Sequence, residues 1–164
     1  MNRLNLGCGP DILDGFVNVD MISAPGVQYW DCRNEVPSKW KEKFDFVLVN
    51  HVLCTMNYGD VKLTLQGILE ILKPGGRVEI IDVDMLKAFH AYQDLRTDLF
   101  PVPGKTIDEQ LCMHLSGYST RLSLYTPIYL CQLLSEMGFS SSGNLGMSEY
   151  DLRPNESLVV EAVK

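Results

Sequence analysis

Gly7, Cys8 and Gly9 close a short apolar run near the start of the chain, and an aspartate, Asp20, ends the next one. Glycine lets backbone approach a ligand with no Cβ in the way and accepts the positive φ of a sharp turn. A carboxylate at the end of a neighbouring strand can accept hydrogen bonds from both hydroxyls of a ribose. The stretch LNLGCGPDILDGFVNVD at 4–20 therefore carries the parts of a nucleoside site. The dinucleotide pattern G-x-G-x-x-G needs a third glycine where this sequence has Ile12, so a nucleoside without a pyrophosphate fits better.

Such groups must be brought together by strand ends. RLNLGC, FVNVD, FDFVLVN at 44–50 and RVEIIDV at 77–83 are short apolar segments of the kind that form buried strands. SLVVEAVK at 157–164 reads as another, with the glycine-interrupted GNLGMSEYD at 143–151 as its weaker partner. Val61, Leu65, Ile68, Leu69 and Leu72 fall on one helical face before KPGG stops the helix. Thr126 is an N-cap followed by Pro127; Leu130, Leu133, Leu134 and Met137 make the stripe, and Gly138 ends it. Two more helices fill the interval, one over about 85–95 and one opening with the capping box Thr106 to Glu109, with Ile107, Leu111 and Leu115 on one face. Strands alternating with helices predict an α/β domain with a mainly parallel sheet, spanning 1–164 as a single unit without repeats or linkers.

The 164 residues, 46% hydrophobic and 21% charged, suffice for one buried core. A net charge of −7 disfavours partners held by neutralised phosphates, nucleic acid among them. No apolar run reaches the roughly 18 to 20 residues that span a bilayer, and MNRLNLGCG lacks the marks of a signal peptide, so the expectation is a soluble, cytoplasmic protein without a membrane partner. Cys8, Cys32, Cys54, Cys112 and Cys131 are scattered, with no CxxC pair; reduced thiols and no metal centre are expected.

The whole pattern resembles the class I S-adenosylmethionine-dependent methyltransferases, in particular small members whose first motif reads much like LNLGCGPDILDGFVNVD. Further segments match in the family's order: YWDCRNEVP at 29–37, FDFVLVNHVLCTM at 44–56 and ILKPGGRVEIIDVD at 71–84. The resemblance covers most of the chain. It implies a Rossmann-like sheet, mostly parallel, with helices on both faces and an antiparallel C-terminal strand. It implies S-adenosylmethionine as cofactor and S-adenosylhomocysteine as product. By it, Leu6, Gly7, Cys8 and Gly9 line the amino-acid end, Asp20 with Met21 holds the ribose and flanks adenine, Asp31 and Cys32 sit at the adenine, and Asn50 with His51 closes the site. Met21 and Cys32 also suit simple core filling.

Two departures stand out. Only seven residues, Pro10 to Phe16, separate Gly9 from the second strand, whereas a parallel crossover takes a dozen or more. The first helix is then no more than a turn, which removes a helix N-terminus from beneath the cofactor. The first strand begins near Arg3, so an acceptor pocket is expected from the 85–125 region, from a second copy or partner subunit, or from the acceptor itself.

Methyl transfer from a sulfonium is an in-line displacement, in which the protein aligns the acceptor and removes a proton where one must leave. His51, at the end of the fourth strand, is the nearest candidate base, or else a loop histidine that packs by the cofactor. His114 lies on the apolar stripe of its helix and is a second candidate, or a partly buried structural histidine. Asp82 and Asp84 end the fifth strand; one of them could orient an acceptor or bind a metal with a partner the sequence does not identify, and Asp84 equally suits a cap on the following helix. Tyr118, Arg121 and Tyr125 gather where relatives carry acceptor-binding insertions, and Arg121 could pair with an anionic group.

The expectation is a transferase that moves a methyl group to an oxygen or nitrogen of a small molecule or sugar. Its rivals are a non-catalytic cofactor-binding subunit and a nucleic-acid methyltransferase. The latter would need a basic face, and NHVL at 50–53 lacks the Asn-Pro-Pro-aromatic turn of enzymes that methylate base amino groups.

Overall fold

A computed structural model of the chain describes residues 1–96, 105–116 and 120–164. Strands β1 (Arg3–Leu6), β2 (Phe16–Asp20), β3 (Val27–Tyr29), β4 (Phe44–Asn50), β5 (Leu72–Val83), β6 (Ser141–Asn144) and β7 (Ser157–Val163) form one sheet in the order β3-β2-β1-β4-β5-β7-β6. The first five run parallel, and β7 lies antiparallel between β5 and β6. Strand order reverses at β1, with β2 on one side and β4 on the other. A crevice opens there beyond the strand ends, which is where this architecture binds ligands.

Side-chain alternation divides the sheet into two unlike faces. Leu4, Leu6, Val19, Val47, Val49, Val78 and Ile80 point to one face, where they meet α1 (Tyr58–Ile71) and α4 (Pro127–Met137) through Val61, Leu65, Ile68, Leu130, Leu133 and Leu134. On the other face Phe46, Leu48, Ile81 and Val159 are covered by Leu13, Phe16 and Tyr150, which come from β2 and two loops. The two helices that carry the main core therefore share one face. The nine residues between β1 and β2 form turns, because a crossover that short cannot cross the sheet as a helix. The uncovered end of the second face is finished with charge: Arg77 pairs with Glu161 at 2.9 Å and lies 5.1 Å over the Phe46 ring. The remaining helices, α2 (Met85–Gln93) and α3 (Ile107–Ser116), pack on each other through Ala88, Ala91 and Leu111.

Local signals explain most boundaries. Thr126 Oγ1 accepts from the Tyr129 N–H at 3.2 Å, Pro127 opens α4, and Gly138 ends it at φ 104°. Thr106 and Glu109 exchange hydrogen bonds, as a capping box requires. Asn57 caps α1 by accepting from Gly59 and Asp60. Two readings need correcting. The strand expected at 143–151 lies earlier, at Ser141–Asn144, and the chain after it loops back over the second face. KPGG belongs to β5, which begins at Leu72 directly after α1; Leu72 pairs with Phe44 before the register shifts. Among the described residues no helix is long and apolar enough to cross a membrane.

Candidate functional site

The crevice is built on the turn after β1. Gly7 and Gly9 adopt φ of 65° and 51°, a region that only glycine enters without strain. Space also demands Gly7: a Cβ there would overlap the Val52 side chain. Without a helix, the turn is held by two buried asparagines. Asn18 Oδ1 accepts from Asn5 Nδ2 and from the Leu13 N–H, both at 3.0 Å, while its amide donates to the Leu13 carbonyl and Asn5 donates to Asp11 O. At the end of β2, Asp20 Oδ2 accepts from the Gly9 N–H and Oδ1 from the Ile22 N–H, each at 2.9 Å.

A cavity of about 240 Å³ lies on this floor, lined by Leu6, Gly7, Asp20, Met21, Asp31, Cys32 and His51. Trp30, Val52, Thr55 and Met56 complete its wall; the last three flank or end a short turn after β4, and none of the four carries a residue type or spacing that marks a site from sequence. Arg33 also lines it and donates to both Asp31 oxygens, at 2.8 and 2.6 Å. That pair holds the Asp31 carboxyl below its ordinary range. Cys32 is buried, which pushes its thiol up and leaves it unreactive.

A second cavity, of about 270 Å³, shares Gly7 and His51 with the first and adds Cys8, Gly9 and Asn50. Its outer wall is the loop that follows β6, through Tyr150 and Arg153. Asn50 Nδ2 donates to the Tyr150 carbonyl at 3.0 Å and ties that loop down. Asn50 Oδ1 is buried without a hydrogen-bond partner.

His51 stands where the two cavities meet, in a left-handed conformation at φ 53°. Burial, with the charges of Arg153 and Arg121 nearby, pulls its pKa down to about 4, so the imidazole is neutral at pH 7. Behind it, donor atoms of His51, Cys54 and Asp82 lie within 4.8 Å of one another, a grouping that sequence spacing did not assemble because Asp82 comes from β5. Asp82 is wholly buried and accepts from the Cys54 and Val83 N–H groups at 2.9 and 2.7 Å. Burial raises both the Asp82 carboxyl and the Cys54 thiol, and the Arg121 guanidinium beside them supplies positive charge.

The other sequence candidates scatter. His114 is half-buried, which pulls its pKa down to about 4 as well, and Nδ1 stands 3.9 Å from Glu156. Arg121 donates to the His114 carbonyl and lines a third cavity of about 440 Å³ with Met85, Leu115 and Leu122. Asp84 caps α2, accepting from the Leu86 N–H at 2.9 Å, and lines none of these cavities. Tyr125, expected at an acceptor, is a core residue instead: its ring is fully buried and its hydroxyl lies 2.7 Å from Ser123 Oγ. Tyr118 lies outside the described residues.

A parallel sheet that reverses at a glycine turn, with a carboxylate at the next strand end, defines a Rossmann-like nucleoside-binding class. The chain belongs to the methyltransferase domain family, whose model matches residues 4–141. Solved structures of S-adenosylmethionine-dependent methyltransferases share the fold. One from Archaeoglobus fulgidus aligns over 99% of this chain and 86% of its own, at 14% identity and a TM-score of 0.66. The 1,6-didemethyltoxoflavin-N1-methyltransferase of Burkholderia thailandensis, solved with 1,6-didemethyltoxoflavin and S-adenosylhomocysteine, aligns over 99% of this chain and 70% of its own, at 17% identity and a TM-score of 0.60. The DszA carbon methyltransferase aligns over all of this chain but 47% of its own, at 18% identity and a TM-score of 0.63, so this chain spans about half that structure. No curated protein sequence matches. The protein is thus a member of the methyltransferase domain family, built on the fold of solved S-adenosylmethionine-dependent enzymes.

Proposed function

We propose that the protein moves a methyl group from S-adenosylmethionine to an oxygen or nitrogen of a small molecule or sugar. The observation that carries this reading is the junction at Gly7 and His51, where two cavities meet beside a ribose-type carboxylate. The residues fit the cofactor: Asp20 has lone pairs left to accept from ribose hydroxyls, and the Gly7 backbone lies bare to the cavity. When bound, S-adenosylmethionine supplies an electrophilic methyl on a sulfonium.

The chain's own contribution is alignment. Neutral His51 can accept a hydrogen bond from an acceptor O–H or N–H and orient it; with a pKa of about 4 it is a weak base. The acceptor enters beside Arg121, which lines the third cavity, places its charge near the His51 cluster and offers a cation to an anionic substituent. Cys54 and Asp82 hold the floor beneath His51.

Isothermal titration with S-adenosylhomocysteine tests the reading, followed by methyl transfer to a panel of hydroxyl and amine acceptors with wild type and Arg121→Ala. Micromolar binding with turnover that Arg121→Ala selectively reduces for anionic acceptors supports it. Binding without turnover across the panel would make the protein a cofactor-binding subunit, a reading favoured by the low basicity of His51.

A further inference from the structure

The second cavity has a charge pattern that an adenosine site does not need. Its lining holds one cation among the described residues, Arg153, together with the carboxylates of Asp11 and Glu149. It also includes Asn50, whose Oδ1 is shut off from solvent with no donor. Both signs of charge in one small cavity match a zwitterion.

Arg153 faces the junction. Its charge is among those that depress His51, which forms the shared wall. The short β1–β2 crossover leaves no helix N-terminus after Gly9, so an anion in this cavity has no helix dipole to meet it. A side-chain cation must do that work, and the loop after β6 brings one.

We propose that the loop at 149–153 clamps the α-amino acid end of the cofactor, Arg153 pairing with its carboxylate while the Asp11 and Glu149 carboxylates face its ammonium. The inference rests on the first cavity being the adenosine site. It assigns to a loop near β7 the charge recognition that the missing first helix does not provide.

Two ligands separate this role from the rest of the site. S-adenosylhomocysteine carries the amino acid end; 5′-methylthioadenosine keeps the adenosine and thioether and lacks it. Titrations would compare wild type, Arg153→Ala and Arg153→Lys, the Arg153 side chain being exposed and its loss compatible with folding. Arg153→Ala should weaken S-adenosylhomocysteine at least tenfold and leave 5′-methylthioadenosine within twofold, with Arg153→Lys between. Equal weakening of both ligands, or of neither, overturns the clamp while leaving the cofactor site standing. A wild type that binds neither ligand overturns the site and the clamp together.

Discussion

The Asp20 carboxylate reaches back across the crevice to the Gly9 N–H at 2.9 Å, so the residue proposed to hold a ribose also fixes the glycine turn beneath the cavity. Both oxygens are in use before any ligand arrives, since Oδ1 accepts from Ile22. Each keeps a further lone pair for a hydroxyl.

Replacing Asp20 should therefore act twice. Losing a charge-assisted hydrogen bond costs about 1.5 to 3 kcal/mol, and Asp20→Ala is expected to weaken S-adenosylhomocysteine by roughly ten- to a hundredfold in titration calorimetry. The thermal midpoint should fall as well, because the Gly9 turn loses its tie to β2. Unchanged affinity would take Asp20 out of the site.

Gly7→Ala tests the close approach at the cavity floor. A left-handed alanine costs roughly 1 to 2 kcal/mol, and the overlap with Val52 adds about 1 to 3 kcal/mol typical of overpacking. Urea unfolding should show a loss of about 2 to 5 kcal/mol. Adding Val52→Ala relieves the overlap and leaves the φ penalty, so the double variant should lose less than the two single losses summed.

Acid should destabilise the protein through His51 and His114. Each is held neutral down to about pH 4, while in the unfolded chain each takes a proton near pH 6.5. Between those values the unfolded state binds more protons, so stability rises with pH and is lost as pH falls through the window, by an order of 3 kcal/mol for His51. The raised Asp82 and Glu79 carboxyls run the other way, favouring the folded state when protonated. The comparison that isolates the histidine is wild type against His51→Asn, asparagine being tolerant of the left-handed φ. The variant's stability should change less between pH 6.5 and 4; parallel curves would assign the acid sensitivity elsewhere.

Residues with strong local signals were readable from sequence. Thr126, Pro127 and Gly138 bound α4 because caps and φ restrictions act within a few residues. The sharp turn at Gly7 and Gly9 was legible because glycine favours positive φ, and Asp20 because it ends the neighbouring strand and so lines the same cavity. What stayed hidden depends on contacts distant in sequence. Arg153 lines one cavity with His51, and Tyr150 bonds Asn50, across a separation of about a hundred residues that no periodicity encodes. Tyr125 misled for the opposite reason: a tyrosine beside Arg121 looks like a contact for a ligand, yet the β5–α2 junction and α1 enclose its ring. KPGG reads as a stop, but pairing of Leu72 with Phe44 starts β5 before it.

Asn5 and Asn18 carried a signal that could have been used, for each breaks an otherwise apolar strand. They are 3% and 5% exposed and take over the task of the absent first helix by pinning Asp11 and Leu13 to the sheet. Asn18→Leu removes an acceptor shared by Asn5 and the Leu13 N–H, leaving both donors short of a partner in the interior. The cost should be about 2 to 4 kcal/mol in urea unfolding, above the loss of an exposed cap such as Thr106→Ala at about 1 kcal/mol. Affinity discriminates further. Because Gly9 lies on the segment that Asn18 anchors, Asn18→Leu should weaken S-adenosylhomocysteine severalfold at a temperature where the variant is fully folded, whereas Thr106→Ala should leave it unchanged. Equal affinity in the two variants would mean that the turn is held by Asp20 and the glycine backbone alone, and that the asparagine pair serves stability without shaping the site.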